Sequence, residues 1–343
     1  MRTYNLALIG FGNVGKEFFR LLLAKQAHLR DTYGIDWRLT GIASRRVGWI
    51  ADPNGLDPGA LLEGRFPDPP AWKDPKNVRE WLCAARADVL FEATSLNRHT
   101  GQPAIDHLKA ALESGAHAIS ANKGPVVHAY RELRDLAHAK SRKFLFESTV
   151  MDGTPIFSLF PHALPAVELR SFRGILNSTT NVVLTEMERG LSLDDAVKKA
   201  QQIGVAETDP TDDLDAWDPA VKITALVIVL MGVPIQLNEI ERVGIRNISP
   251  EQIRAASAAG KRHKLICRAE RTTDNSGRAG VRASVKPEQL PLTDPLALLE
   301  GTTSTLRFEF DVFGLSIIEH KPGVIATAYG LLADFIRAVS SPC

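Results

Sequence analysis

Cysteine is scarce in this chain: three in 343 residues. Cys83, Cys267 and Cys343 are far apart, odd in number and outside any metal or redox spacing, which argues against a disulfide scaffold and suits a reducing cytoplasm. Excess charge of either sign is also missing. Lys+Arg 41 against Asp+Glu 40 leaves a formal net charge of +1. No global field therefore recruits nucleic acid or an anionic membrane, and any charged partner must be recognised locally. Long apolar runs are absent as well. The longest, residues 225–233, falls far short of the roughly 20 residues that span a bilayer. The opening Met1-Arg2-Thr3-Tyr4-Asn5 leads into a strand pattern without the apolar stretch and cleavage site of a signal peptide. Internal repeats and low-complexity segments are not found either.

What is present is enough chain for two ordinary domains, each with its own core. Residues 6–9 are apolar, Gly10-Phe11-Gly12-Asn13-Val14-Gly15 follows, and residues 16–23 read as a helix, the opening of a dinucleotide-binding βαβ unit. Strands are expected at 38–43 and 88–93, and helices at 105–114 and 129–140. This alternation implies a doubly wound parallel sheet. Residues 51–76 hold Pro53, Pro58, Pro67, Pro69, Pro70 and Pro75 and read as an irregular excursion. The texture changes after about residue 147, with strands expected at 167–176 and 306–312 and helices at 193–203 and 219–231. Residues 272–280 read as an exposed loop, and 326–339 as a helix that returns to the first domain. The fold class is α/β: an N-terminal Rossmann-type domain over 1–146 and an α+β catalytic and dimerisation domain over 147–321, with the tail 322–343 packing on the former.

In the glycine pattern the first glycine permits a tight turn, the second lets backbone approach a pyrophosphate, and the third allows close helix–strand packing. The second strand is followed by Ser44-Arg45-Arg46, where an NAD enzyme usually carries an acidic residue for the ribose hydroxyls. Two arginines favour a 2′-phosphate, hence NADP with NAD as the alternative; a solvated basic turn is the plainer reading. Thr94-Ser95 is expected near the ribose or nicotinamide at the sheet's carboxyl edge.

Residues 204–218 concentrate carboxylates, among them Glu207, Asp213 and Asp218, ahead of the apolar helix that carries Lys222. An EF-hand is excluded by the missing glycine and terminal glutamate. Asp218-Pro219 reads as a helix start, with Asp as N-cap and Pro in the first helical position. Lys222 is the one charge of an otherwise apolar helix, a turn from Asp218, and so a candidate for proton transfer. A structural ion pair is the competing reading. Lys123, in Ser120-Ala121-Asn122-Lys123-Gly124-Pro125, is expected at a strand's carboxyl end facing the cofactor crevice. Carboxylates for an amino group, lysines for a hydroxyl and a nicotinamide nearby suggest oxidation of a small zwitterionic alcohol.

With these motifs in place the chain resembles homoserine dehydrogenase over nearly its whole length. The residues that carry the resemblance are 10–15, 121–125, Gly174-Ile175-Leu176-Asn177-Ser178-Thr179-Thr180-Asn181, and 204–222, in the family's order. The resemblance implies NAD(P)-dependent interconversion of homoserine and aspartate semialdehyde, on the route from aspartate to threonine and methionine, by a homodimer built on the second domain. By position, Lys222 matches the catalytic lysine and Asp218 the residue that tunes it, with Lys123 at the nicotinamide boundary. Glu207, Asp213, Asp218 and Thr179 match substrate-binding positions, and Gly204 and Gly323 cofactor-binding ones. Glu147, Val150, Asp152 and Thr154 match a turn whose backbone carbonyls hold sodium or potassium. Met151-Asp152-Gly153, Ser178 and the tail after Lys321 depart from the family's usual pattern, so a related oxidoreductase for another amino or hydroxy acid stays open. A non-catalytic NADP-binding protein is the reading from a different class. The length leaves no room for a regulatory amino-acid-binding domain, so threonine inhibition through one is not expected.

Overall fold

The computed structural model describes residues 1–67, 77–273 and 279–340. Two compact units divide the chain: Met1–Ser158 with Gly323–Cys343, and Leu159–Pro322. The first begins with β1 (Arg2–Ile9), whose last four residues are buried, and α1 (Asn13–Tyr33). α1 buries Phe18, Phe19, Leu22 and Leu29 along one side and ends at Gly34, whose left-handed backbone closes the last turn. There follow β2 (Ile35–Ser44), β3 (Gly48–Ala51), α2 (Pro58–Leu62), α3 (Val78–Ala85), β4 (Val89–Glu92), α4 (Ala104–Ser114), β5 (His117–Ser120), α5 (Lys123–Ala139) and β6 (Phe144–Leu145).

The sheet order is β3-β2-β1-β4-β5-β6, parallel except for the β2–β3 hairpin. All four residues of β4 are buried, as a central parallel strand covered on both faces requires. The chain order reverses between β1 and β4, the position at which an open α/β sheet binds its ligand. The C-terminal helix (Val324–Ser340) packs on α1 and gives Ala328, Leu331, Leu332, Phe335 and Ala338 to the same core as Phe18, Phe19 and Phe91.

The second unit runs α6 (Leu159–Ala163), β7 (Leu169–Ile175), α7 (Ser178–Glu188), α8 (Leu193–Gln202), α9 (Thr211–Leu214), α10 (Trp217–Leu226), β8 (Glu241–Arg242), α11 (Pro250–Ala258), β9 (Lys261–Thr273), β10 (Ala279–Pro291), β11 (Ser304–Phe310) and β12 (Gly314–Glu319). Its sheet has the order β12-β11-β7-β9-β10-β8, antiparallel apart from β8 with β10. Helices α7, α10 and α11 pack against β9. Cys267 and Ala269 of β9 and Phe172 of β7 are buried beneath them, every second residue pointing the same way.

Several boundaries differ from expectation. The excursion at 51–76 contains α2, started by Asp57, whose side chain accepts from the Gly59 and Ala60 N–H groups, with Pro58 in the first turn. Pro69, Pro70 and Pro75 lie outside the described residues. Of the loop expected at 272–280, Thr272 and Thr273 pair with Gly280 and Ala279 as the ends of β9 and β10. Residues 274–278 lie outside the described residues. The helix expected at 129–140 starts six residues earlier, at Lys123. The apolar helix ends at Leu226 and continues as a π-helical turn over Val227–Met231, closed by left-handed Gly232. Among the described residues, no helix is long and apolar enough to cross a membrane.

Candidate active site

In the first unit the glycine turn has three distinct surroundings. A Cβ on Gly10, whose φ is +101°, would lie 2.3 Å from the Ala93 carbonyl oxygen. One on Gly15 would lie 2.6 Å from the Gly10 carbonyl oxygen and 2.8 Å from Leu8 Cδ2, so the close helix–strand contact is real. A Cβ on Gly12 would meet nothing within 4 Å. The N-terminus of α1 therefore opens outward at Gly12, and it carries neither a capping side chain nor an acidic residue in its first turn. Uncapped N–H groups and the positive end of a 21-residue helix fit a pyrophosphate. Phe11 is buried beside Phe19 and Phe66, while Asn13 is exposed and Val14 half-buried at the head of the helix.

Ser44 closes β2, and its hydroxyl accepts the Val47 N–H at 3.2 Å, which tightens the turn into β3. Arg45 and Arg46 are exposed on that turn. Thr94 and Ser95 follow β4. The Asn122 side chain binds them to the next crossover: its Nδ2 donates to the Thr94 carbonyl (3.2 Å), Thr94 Oγ1 (3.3 Å) and the Ser95 carbonyl (3.3 Å). Its Oδ1 accepts the Gly124 N–H at 2.9 Å, which caps α5. Lys123 is thus the first residue of a helix. β5 has already closed at Ser120, so the expectation of a strand-end lysine is corrected by three residues.

Lys222 in the second unit lies one turn beyond Asp218 on α10, and the two side chains meet at 2.9 Å with about one-fifth of each exposed. Lys222 Nζ also donates to the Leu176 carbonyl at 2.7 Å. Asp218 is not the N-cap. The chain enters α10 at Ala216, in the left-handed conformation, so Asp218 and Pro219 are the second and third helical residues and the Asp218 carboxylate is turned to other partners. Contacts from far along the chain hold that entry in place. Arg242 stacks 3.5 Å over the Trp217 ring and donates to the Asp215 carbonyl, and Arg246 pairs with the Asp215 carboxylate at 2.5 Å.

Asn177 links the carboxylates. Its Nδ2 donates to Asp213 Oδ1 at 2.6 Å and to Asp218 Oδ2 at 3.1 Å, while its Oδ1 accepts the Thr180 N–H at 2.9 Å as the cap of α7. Burial and the neighbouring Asp218 charge raise the Asp213 carboxyl above its ordinary value, against the pull of Asn177, Thr179 and Lys222. The Thr179 hydroxyl donates to the Val205 carbonyl at 3.2 Å, and Gly204 makes the left-handed turn just before it. Glu207 lies in the exposed loop between α8 and α9, where Gln201 Nε2 donates to its backbone carbonyl at 3.0 Å. The structure thus joins Lys222, Asp218 and Asp213 through hydrogen bonds, whereas the Glu207 side chain stands outside that network. Cys267 is buried on β9, and burial pushes its thiol up to about 12, which makes it inert.

The turn at 147–154 belongs to the first unit. Glu147 is buried, and its carboxylate accepts the Phe157 and Ser158 N–H groups at 2.7 and 3.0 Å and pairs with Arg337 at 2.8 Å. Asp152 accepts from the Gly323 N–H (2.5 Å) and the Thr327 hydroxyl (3.0 Å). Met151 and Asp152 both have positive φ, a costly backbone for residues other than glycine. Among the described residues, no group of three or more His, Cys, Asp and Glu side chains is suited to a metal ion. A cation at this turn would accordingly rest on the carbonyls of Glu147, Val150, Asp152 and Thr154. Of these, the Thr154 carbonyl already accepts the Ile156 N–H at 2.8 Å.

Comparison with known proteins decides the family. The family model for homoserine dehydrogenase matches residues 155–336, and that for the homoserine dehydrogenase NAD binding domain matches residues 10–147. The chain belongs to the homoserine dehydrogenase family. Within it, the NAD(+)-dependent homoserine dehydrogenase of Pseudomonas canavaninivorans is 33% identical, with 98% of this chain and 96% of that protein covered. The putative homoserine dehydrogenase of Archaeoglobus fulgidus has a solved structure that superposes with a TM-score of 0.85 at 27% identity, covering 99% of this chain and 100% of that one. A hyperthermophilic archaeal homoserine dehydrogenase mutant, solved in complex with NADPH, superposes with a TM-score of 0.80 at 26% identity and covers 98% of each chain.

Two residues, Asn122 in the first unit and Asn177 in the second, bear more contacts than their motifs indicate. Asn177 and Asn122 each lie within a motif and read there as ordinary helix caps. A signal was available: in both, Asn precedes a helix and follows a strand, where a capping side chain has one polar atom left for a partner elsewhere.

Proposed function

We propose that this homoserine dehydrogenase interconverts L-homoserine and L-aspartate 4-semialdehyde with Lys222 as acid and base. The observation that carries the reading is the Lys222 amine held between the Asp218 carboxylate and the Leu176 carbonyl, in a network with Asp213. The bound nucleotide supplies the hydride acceptor in one direction and the hydride donor in the other. During oxidation Lys222 Nζ takes the hydroxyl proton as the carbinol carbon loses hydride, and Lys123 assists at the nicotinamide boundary. On reduction the Lys222 ammonium returns the proton to the forming alkoxide. Its two acceptors suit that ammonium form. Asp218 orients the lysine, and Asp213 and Glu207 take the substrate's amino group, with Thr179 as a further substrate contact.

The phosphate-binding turn 10–15 and the α1 N-terminus receive the pyrophosphate, Thr94 and Ser95 lie near the ribose and nicotinamide, and Gly204 and Gly323 make further cofactor contacts. NADP is the preferred cofactor because Arg45 and Arg46 stand where a ribose-binding acid would, and the arginine guanidinium matches a phosphate. A sodium or potassium ion at the 147–154 turn, a homodimer built on the second unit, a cytoplasmic setting, and a place on the route to threonine and methionine complete the reading. The free Cys83 and buried Cys267 are compatible with that setting.

Steady-state kinetics with L-homoserine and each oxidised cofactor test it. Lys222→Ala should lower kcat by roughly 10²–10⁴-fold with little change in the Kd for NADPH. Full activity in that variant removes the mechanism. Wild-type kcat/KM should favour NADP+ over NAD+, and Arg45→Glu combined with Arg46→Glu should reverse the order. A wild-type preference for NAD+ ends the role given to the arginines.

A further inference from the structure

Glu92, the last residue of β4, is completely buried. An ionised carboxylate out of water is costly unless donors surround it, and an apolar or amide side chain would fill the space more cheaply. The origin of its donors is therefore informative. Glu92 Oε1 accepts the Thr94 N–H at 3.2 Å and the Thr94 hydroxyl, and the Ser120 hydroxyl lies 3.5 Å from Oε2. His107 of α4 approaches Oε1 with Nδ1 at 3.6 Å. Thr94 Oγ1 in turn accepts from Asn122 Nδ2, and the Ser120 hydroxyl accepts the Asn122 N–H at 3.0 Å and has the Asn122 carbonyl, at 3.2 Å, as its nearer acceptor.

These bonds have a direction. A carboxylate only accepts, so Thr94 Oγ1 must donate to it and is left to accept from the Asn122 amide. The same amide nitrogen donates to the Thr94 and Ser95 carbonyls, which leaves Asn122 Oδ1 to accept the Gly124 N–H and cap the helix that begins with Lys123. Glu92 thereby anchors the 94–95 loop, and Asn122 ties the 122–123 loop to it; the proposed function sets both against the nicotinamide.

We propose that Glu92 is a positioning residue for hydride transfer, which locks the Thr94-Ser95 turn to the Asn122-Lys123 helix start and fixes the aim of both. The inference rests on the reading that these loops face the nicotinamide. A glutamine at position 92 keeps the shape but replaces the charged acceptor of the Thr94 N–H and hydroxyl with a neutral one, so the Thr94 turn is held more weakly while the core stays filled.

Full-length Glu92→Gln, Thr94→Val, Thr94→Ser and Lys123→Met variants are compared by steady-state kinetics, thermal melting and the kinetic isotope effect with C4-deuterated NADPH. In Glu92→Gln, kcat should fall on the order of tenfold or more, the KM for the amino-acid substrate should move much less, and the isotope effect should rise as hydride transfer becomes slower. Thr94→Val should show the same pattern, Thr94→Ser should stay at least fivefold faster than Thr94→Val, and the Glu92→Gln/Thr94→Val double variant should be no slower than the worse single one. If Glu92→Gln does not fold, the Thr94 pair carries the test, and equal rates for Val and Ser overturn the proposal. A Glu92→Gln enzyme with a lowered melting temperature but wild-type kcat and isotope effect overturns it too. If Lys123→Met is impaired while Glu92→Gln is not, the positioning role alone fails. If neither changes, the loops do not face the nicotinamide and the underlying reading fails with it.

Discussion

Asn177 shows how much one side chain carries. It caps α7 with its oxygen and holds two carboxylates with its nitrogen. Asp213 already binds its proton more tightly than usual because it is buried beside Asp218. Asn177→Asp would keep the cap, since aspartate is as good an N-cap as asparagine, but would replace the shared donor with a third acceptor. We expect kcat/KM for homoserine to fall by tenfold or more, in line with the roughly 1–3 kcal/mol that a buried, unsatisfied polar group costs. The Kd for NADPH should change little, whereas the melting temperature should fall, because the buried carboxylate faces Asp213 and Asp218 without a donor between them. A normal kcat/KM in the Asn177→Asp enzyme would show that the bridge is only structural.

At the scale of elements, the glycine turn separates folding from binding. Gly15→Ala puts a methyl group 2.6 Å from a backbone oxygen, and overpacking of this kind costs about 1–3 kcal/mol. Gly12→Ala meets no protein atom within 4 Å, so it should leave thermal stability unchanged while raising the KM for the nucleotide at least tenfold. Melting curves and cofactor titrations of the two variants read this out. A Gly12→Ala protein that binds nucleotide normally would contradict the placement of the pyrophosphate. The Lys222 helix carries a related lesson. Its apolar pattern and the four-residue Asp218–Lys222 spacing are local properties and can be read directly. Its starting residue is not, because Arg242 and Arg246 hold the entry at Ala216 from about 30 positions away.

For the molecule as a whole, stability should depend on pH through Lys264, a lysine completely buried in β9 of the second unit. Its Nζ donates to Asn181 Oδ1 at 3.0 Å and the Leu299 carbonyl at 2.6 Å, yet burial lowers its pKa to about 8 despite the nearby Glu188. The folded value lies below the unfolded one, so the fold disfavours the ammonium form. That penalty is full below about pH 8 and fades as pH rises toward 10.5. Unfolding by urea should therefore show a gain of up to about 3 kcal/mol across that window, and Lys264→Met should flatten it. A pH-independent wild type would rule out the buried ammonium as a source of strain. In the first unit the sign of the acid limb is similar: burial first, then the charges of Arg142, Lys143 and Arg2, lower His117 to about 4, so stability falls as pH drops from 6.5 through that value.

Local pattern was sufficient for whatever depends on neighbours in the chain. It identified the strand, glycine turn and helix at residues 6–23, the strands and helices that make the chain α/β, and the Lys222–Asp218 pair, since periodicity and one-turn spacing are set by backbone geometry alone. Folding had to occur before Asn177 could meet Asp213 and Asp218, 36 and 41 residues away, or Asn122 could bind the Thr94 carbonyl, 28 residues back. The reason is physical. A polar side chain can be satisfied by water, by a helix end or by a distant partner with nearly equal ease in an extended chain, and burial removes the first choice and selects among the others.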